Sequence, residues 1–307
     1  MQIRASQVRF IKLGKGGEWE KECIEGPAPC IRFGFDNPYH SDCVRRNWAV
    51  LEQYWLQHKS RAETTKIVNQ IKDFYTLGCD ALWITFYKRK LYWCYADSSV
   101  IELQRGGSRI RKVISGWSCT NSAGQTLFTD SLSGLLTQIQ GFRGTICKVH
   151  EQKYLLGRLN GLTPEDVQTA ASNLDALRIS TAPLIKRLYW KDFELLVDLI
   201  LSRAGWQRLS ALGKTQKSID LECLLPVTGQ RAFVQVKSSA TLEDLKFSIK
   251  EYQGMEQYDE MLFVVHTAGQ ALKDYAKAAD IRFLGSEEIA SLVVDSGLTQ
   301  WLIQKAM

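Results

Sequence analysis

The sequence predicts an α/β C-terminal half, a mixed sheet flanked by helices, joined to a β-rich α+β N-terminal half. Three observations predict it. From about Tyr189 onward, helical stretches alternate with short strand-like runs. The first 160 residues instead hold 20 of the 32 aromatics, many in strand-like runs. The texture changes at Thr163, where Thr163-Pro164-Glu165-Asp166 offers an N-cap, a proline at the first helical position and an acid in the first turn. At 307 residues the chain is long enough for two domains. The boundary is placed between 160 and 186, giving a domain over 1–160, a helix and linker over 161–185, and a second domain over 186–307.

In order along the chain, strands are expected at 30–35 (CIRFGF), 81–87 (ALWITFY), 91–95 (LYWCY), 100–104 (VIELQ) and 145–149 (TICKV). The second and third are joined by the basic turn Lys88-Arg89-Lys90, a hairpin signal. Helices are expected over 45–57 and 61–76. A further helix runs from Thr163 to about Leu177, and 178–186 (RISTAPLIK) reads as a connection containing Pro183. WKDFELLVDLILSRAGW is an apolar helix that stops at Gly205. SIDLECLL and RAFVQVKSS are two strands joined by the turn PVTGQ. Then come a helix (241–252), a buried strand (261–266), a helix (270–279), a short strand (281–284) and one or two terminal helices.

Composition narrows the function. With 45% hydrophobic and 23% charged residues the chain can bury real cores. No apolar run reaches the ~18–20 residues that span a bilayer, and the opening MQIRASQVRFIKLG lacks the apolar centre of a secretory signal. A cytoplasmic protein with no membrane partner is expected. The eight cysteines are too scattered for a disulfide scaffold and read as reduced, mostly buried thiols. Cys23, Cys30, His40 and Cys43 fall within 21 residues, but zinc sites show tighter paired spacings. Residues 1–160 carry 23 Lys+Arg against 14 Asp+Glu, or +9, whereas 161–307 carry 16 against 19, or −3. A basic half and a slightly acidic half suit one part that meets a polyanion and one that holds metal-binding carboxylates.

Hydrolysis of a phosphodiester needs a divalent cation, oxygen acceptors to hold it, and a cation or proton source near the attacking water. The hairpin can supply these. Residues two apart on a strand share a face, so Gln235 and Lys237 point one way and Val234 and Val236 the other. Asp220 and Glu222 share a face in the same way, with Glu222 read as a solvated or salt-bridged neighbour. A polar face in the middle of an apolar sheet is costly unless something occupies it. The run DFELLVDLILSRAGW, then SIDLEC, then AFVQVKSS resembles the PD-(D/E)xK nuclease superfamily. More narrowly it resembles the catalytic domain of Mrr-type restriction endonucleases, over residues 186–285.

The resemblance implies a restriction-endonuclease-like core and a role for each matching residue. Asp220 would be the main ligand of Mg²⁺ (or Mn²⁺). Gln235 would offer its side-chain carbonyl and Val236 its backbone carbonyl. Glu194 would reach the metal from the helix, and Lys237 would position water and stabilise charge on the phosphate. The expected activity is that of a DNA endonuclease of the restriction or phage-defence kind, acting as a homodimer or transient dimer. A repair or RNA nuclease, and a non-catalytic nucleic-acid-binding protein on the same fold, stay open.

In the basic half, Lys88, Arg89, Lys90, Arg105, Arg109, Arg111 and Lys112 interleave with aromatics, a pattern that suits nucleic acid. The pattern LGCDALWITFYKRKLYWCYAD, followed by SGWS, resembles PUA-like barrels, the group that includes EVE and other modified-base readers. That resemblance implies an aromatic pocket for an extruded base, with Trp83, Tyr92, Trp93 and Trp117 as candidates. The early LGKGGEW lacks the GK[ST] ending of a phosphate loop and is not read as one, and His150 and His266 are read as structural.

Overall fold

The computed structural model describes residues 2–34, 38–103, 107–209 and 220–307. They form two units, Met1–Pro164 and Glu165–Met307. Both contain helices and sheets, and no described helix is long and apolar enough to cross a membrane.

The N-terminal unit contains, in order, β1 (Val8–Ile11), α1 (Glu20–Glu25), β2 (Cys30–Gly34), α2 (His40–Val44), α3 (Trp48–Leu56), α4 (Arg61–Thr76), β3 (Leu82–Tyr87), β4 (Lys90–Ala96), β5 (Ile101–Glu102), β6 (Ser108–Ser118), α5 (Gly134–Thr137), β7 (Ile146–Lys148) and α6 (Gln152–Leu159). Its sheet runs β2-β6-β4-β3-β1-β7, with β5 on β6. Among the described residues that path ends at β2 and β7 and does not close, so the barrel implied by the PUA-like resemblance is not what forms. β1 and β3 are parallel and the other pairs antiparallel. The β3–β4 turn places Lys88 and Arg89 at φ of 47° and 59°, the double left-handed conformation of a two-residue hairpin loop. α4 begins at a capping box in which Ser60 and Glu63 satisfy each other's backbone donors. Apolar residues fill both faces of the sheet, Trp83, Phe74 and Ile71 on one and Phe10, Ile84 and Leu155 on the other.

Residues 108–118 depart from expectation. The sequence groups Arg109, Arg111 and Lys112 as basic residues suited to nucleic acid, yet Ser108–Ser118 is the longest strand among the described residues of the unit. Arg109 and Arg111, both fully buried, occupy its inward positions. Arg111 donates to Phe74 O (3.1 Å) and Leu77 O (2.8 Å), carbonyls at the end of α4, and to Asp97 O (2.5 Å). It thereby caps a helix terminus from a neighbouring strand. Burial pushes its guanidinium down to about 10. Arg109 is paired with Glu102 at 2.6 Å.

The C-terminal unit comprises α7 (Glu165–Ile185), α8 (Trp190–Arg203), β8 (Gln207–Arg208), β9 (Leu221–Leu225), β10 (Gln230–Ser239), α9 (Leu242–Gln253), β11 (Glu260–Thr267), α10 (Gln270–Ala278), β12 (Arg282–Leu284), α11 (Ser286–Asp295) and α12 (Thr299–Ala306). The sheet order is β12-β11-β10-β9-β8, with β10, β11 and β12 parallel and β8 and β9 antiparallel additions. Helices cover both faces. α8, α11 and α12 pack with Val234, Val236, Leu262 and Val264, while α9 and α10 pack with Phe233, Phe263 and Val265. Segment 178–186 is not the expected connection. α7 continues through Pro183 to Ile185, because Thr181 and Ile185 are buried and Arg178 is paired with Asp295 of α11 at 2.9 Å. Pro183 lies in the last turn, where the missing donor costs a single hydrogen bond.

Candidate active site

The C-terminal sheet positions the hairpin residues. β9 and β10 pair from Leu225 opposite Gln230 to Leu221 opposite Val234. Continued by one residue, that register sets Asp220 opposite Gln235. Oδ2 of Asp220 accepts the Val236 N–H at 2.8 Å and a second hydrogen bond from the Gln235 amide. Both donors act on one oxygen of the carboxylate. Gln235 is 4% exposed and pairs with Phe263 of the apolar β11. Its bond to Asp220 satisfies an amide that burial would otherwise penalise.

Lys237 follows two residues later on the same face, opposite Val265. The described residues offer it no ion pair within 4.0 Å. Its positive charge nevertheless opposes the burial that raises the pKa of Asp220 and Glu194, and adds to the Thr241 hydrogen bonds that lower that of Asp244. Glu194 comes from the first half of α8, next to the buried Phe193 that anchors the helix on the sheet. Burial raises the pKa of Asp220 against the Val236 hydrogen bond and the Lys237 charge that lower it. Burial also raises that of Glu194, the charge of Asp220 raises it further, and Arg208, Lys237 and Lys191 oppose. Each acid is therefore held where its ionised form is disfavoured, and for Glu194 the other acid is part of the cause.

The structure thus brings Asp220, Gln235 and Val236 into contact and places Glu194 and Lys237 within their electrostatic reach. Glu222 lies apart, its carboxylate 4.0 Å from Arg231. Arg208 and Lys191 were not anticipated. Arg208 sits on β8, 3.7 Å from Asp198, and belongs to no motif that could have singled it out. His266 is 6% exposed and lies edge-on to Phe193, with ring centroids 4.7 Å apart. Its Nδ1 meets Thr267 Oγ1 at 2.9 Å, while its Nε2 is buried without a partner among the described residues. Burial, then the charge of Lys186, pushes its pKa down.

The residues expected to contact nucleic acid are dispersed. Trp83 is fully buried against Phe74, with Arg111 stacked over it at 5.5 Å. Tyr92 and Trp117 pack half-buried on that same core, but Trp93 packs on the opposite one and donates to Thr120 O at 2.9 Å. Alternation along β4 sends Tyr92 and Trp93 to opposite faces, so the four aromatics do not line one pocket. Arg109 and Arg111 are internal, which corrects their expected place on a binding surface. Lys112 is exposed. Lys88 and Arg89 are exposed but paired with Glu25 (2.7 Å) and Asp130 (3.3 Å), and Lys90 lies 5.7 Å from the Phe128 ring. Arg105 and Gly106 lie outside the described residues.

All eight cysteines are free thiols. Cys23 and Cys30 face each other at 3.6 Å between sulfurs, and His40 bonds Tyr75 Oη at 2.8 Å. Among the described residues no three His, Cys, Asp or Glu side chains gather as a metal cluster.

Comparison of the chain with protein-family models, with curated proteins and with solved structures gives no match.

The oxygen donors near Asp220 suit a hard cation. Two carboxylates are present, Asp220 and Glu194, together with the Gln235 amide oxygen and the Val236 carbonyl. That both acids resist ionisation, with the charge of Asp220 raising Glu194, is the condition a divalent ion relieves.

Proposed function

We propose that the C-terminal unit is a Mg²⁺- or Mn²⁺-dependent DNA endonuclease of the restriction or phage-defence kind, built on a restriction-endonuclease-like core of the Mrr type. The observation that carries this reading is the junction at Asp220. A carboxylate meets Gln235 and the Val236 backbone beside an ammonium, Lys237, that has no ion-pair partner among the described residues, and a second acid, Glu194, senses it. An apolar sheet has no structural need for that set.

Asp220, Gln235, Val236 through its carbonyl, and Glu194 would hold the ion, which when bound polarises a phosphodiester and lowers the pKa of nearby water. The Gln235 amide and the Val236 N–H orient the Asp220 carboxylate. Lys237 presents a point charge to a phosphate oxygen and holds the attacking water by hydrogen bonding. Arg208 and Lys191 moderate the charge of Glu194 so that it can ionise next to Asp220. Cleavage of both strands takes two such sites, so the active form is a homodimer or a transient dimer. The N-terminal unit binds the DNA, including any modified base, and the protein works in the cytoplasm, where its thiols stay reduced.

Incubation of supercoiled plasmid with Mg²⁺ tests the reading. Nicked and linear products are expected from the wild type, and none above background from Asp220→Ala or Lys237→Ala. Cleavage unchanged in both variants removes the site. DNA binding without cleavage under Mg²⁺ or Mn²⁺ would instead assign a non-catalytic binder, and cleavage of RNA alone an RNA nuclease.

A further inference from the structure

The basic N-terminal unit offers a cleft that the sequence did not mark as a binding surface. It lies between the glycine-rich segment after β1 and the loop before β7. A cavity of about 520 Å³ is lined by Lys12, Lys15, Trp19 and Arg143 among others. A second cavity, of about 640 Å³, lies along α4 and is lined by Lys59, Lys66 and Lys148. The two share Arg143 and Gly144.

The walls are built rather than merely apposed. The Lys12 N–H donates to Thr145 O at 2.9 Å, and the Lys12 ammonium donates to Phe142 O. Gln70 of α4 accepts the N–H groups of Thr145 and Ile146 at 2.7 and 2.9 Å. The loop that carries Arg143 is therefore tied both to β1 and to α4. Trp19 is part of the lining, with the Arg32 guanidinium 4.3 Å from its ring centroid. Two glycines press on that indole. A Cβ at Gly34 would lie 2.5 Å from Trp19, and one at Gly14, whose φ is +87°, would lie 3.0 Å from it.

The charges of this cleft are arranged for an outside anion. Glu18 accepts the Lys15 N–H at 3.1 Å, Glu63 is taken up by the cap of α4, and Asp73 is paired with Arg9 at 2.7 Å. Every acid lining the two cavities thus has an internal partner. Lys15, Lys59, Lys66, Arg143 and Lys148 are all exposed, and among the described residues none has a carboxylate within 4.0 Å. The hairpin cations Lys88 and Arg89, which the sequence favoured, are by contrast both neutralised by acids.

We propose that this cleft binds the phosphodiester backbone of DNA, with Lys15, Arg143, Lys66 and Lys148 on successive phosphates. The assignment rests on the reading of the protein as one that acts on DNA, and it names the surface responsible. A row of cations without partners is worth little to folding, whereas each one placed on a phosphate releases a counterion and adds about 0.9 to the salt slope of binding. A backbone site of this kind positions the nucleic acid and carries no base specificity.

Binding of a fluorescein-labelled duplex oligonucleotide to the full chain tests it. Anisotropy is followed in EDTA between about 50 and 200 mM salt, so that cleavage plays no part. Lys15→Gln/Arg143→Gln is expected to weaken binding on the order of ten-fold at the higher salt and to lower the salt slope by about two. Lys88→Gln/Arg89→Gln should bind as the wild type does. Unchanged thermal midpoints for these exposed substitutions exclude misfolding. Wild-type affinity and slope in the cleft variant overturn the proposal. So does an equal loss in the hairpin variant, or competition by inorganic phosphate at concentrations that leave the salt slope unaffected. If the nuclease reading fails instead, the cleft variant still loses binding while no variant cuts plasmid.

Discussion

The two units treat buried charge in opposite ways. In the N-terminal unit Arg109 and Arg111 are fully enclosed, and Arg111 spends its donors on carbonyls of α4 and its surroundings. In the C-terminal unit Asp220 and Glu194 are only partly enclosed and both are pushed toward their neutral forms. An internal charge whose hydrogen bonds are met by its own chain holds the fold together. A half-buried acid kept from easy ionisation, beside a lysine with no ion-pair partner among the described residues, is arranged for something outside the chain. Where a charge finds its partners divides these residues more sharply than residue type or sequence clustering does.

Activity should show the difference between the two units most visibly. Asp220→Ala and Lys237→Ala should each lower Mg²⁺-dependent plasmid cleavage by at least about 10²-fold, the scale of losing a ligand or a charge-stabilising group. Both should leave the fold intact. Circular dichroism and a thermal scan run beside the cleavage assay check this. A variant that is fully folded and fully active would remove its residue from the functional class.

Arg111→Leu is the converse and the next largest effect. It removes the donors that serve Phe74 O, Leu77 O and Asp97 O. Buried carbonyls left without partners cost about 1–3 kcal/mol each at the upper range of such effects, so a loss of about 3 kcal/mol is expected. Urea unfolding measures it. If the loss is near zero while DNA binding collapses, Arg111 belongs with the functional charges after all.

Much of the C-terminal unit was legible in the sequence because its elements are apolar and periodic. α8, the β9–β10 hairpin, α9 and β11 fall within a residue or three of their expected positions. The meeting of Asp220 with Gln235 follows from the hairpin turn and the register it imposes. β6 was illegible for the inverse reason. Arg109, Arg111 and Lys112 give it the look of a solvated basic loop, and only tertiary partners reveal that two of these side chains point inward. β1 carries the same disguise, with Arg9 buried against Asp73 between apolar residues. The barrel resemblance failed on topology, since parallel pairing of β1 with β3 and an open path cannot be read from the alternation of aromatics within one hairpin. The cleft at Arg143 depends on residues more than 120 positions apart, such as Lys12 and Phe142, and no local motif joins them.

Metal binding gives an intermediate effect. If Mg²⁺ binds at Asp220, it stabilises the native state by RT ln(1 + [L]/Kd), about 1.4 kcal/mol for each ten-fold excess over Kd. The thermal midpoint of the wild type should therefore rise with Mg²⁺ and that of Asp220→Ala should not. An equal rise in both would place the ion elsewhere.

The smallest effect tests the distinction most directly, because it concerns stability without any ligand. The folded pKa of Asp220 lies above its ordinary value near 3.9, so the folded state holds this proton more tightly than the unfolded state does. The associated stability is full below that ordinary value and is lost as pH rises through the raised folded pKa. At neutral pH the ionised Asp220 is thus a net cost. Asp220→Asn, which keeps an oxygen to accept the Val236 N–H, should raise the thermal midpoint at pH 7, and the gain should vanish at about pH 4, near the ordinary aspartate value. Glu194→Gln should behave in the same way but more weakly in an Asp220→Asn background, where the charge that helps to raise it is gone. Destabilisation at pH 7 equal to that at pH 4 would show Asp220 to be a structural carboxylate of the same kind as the partners of the buried arginines.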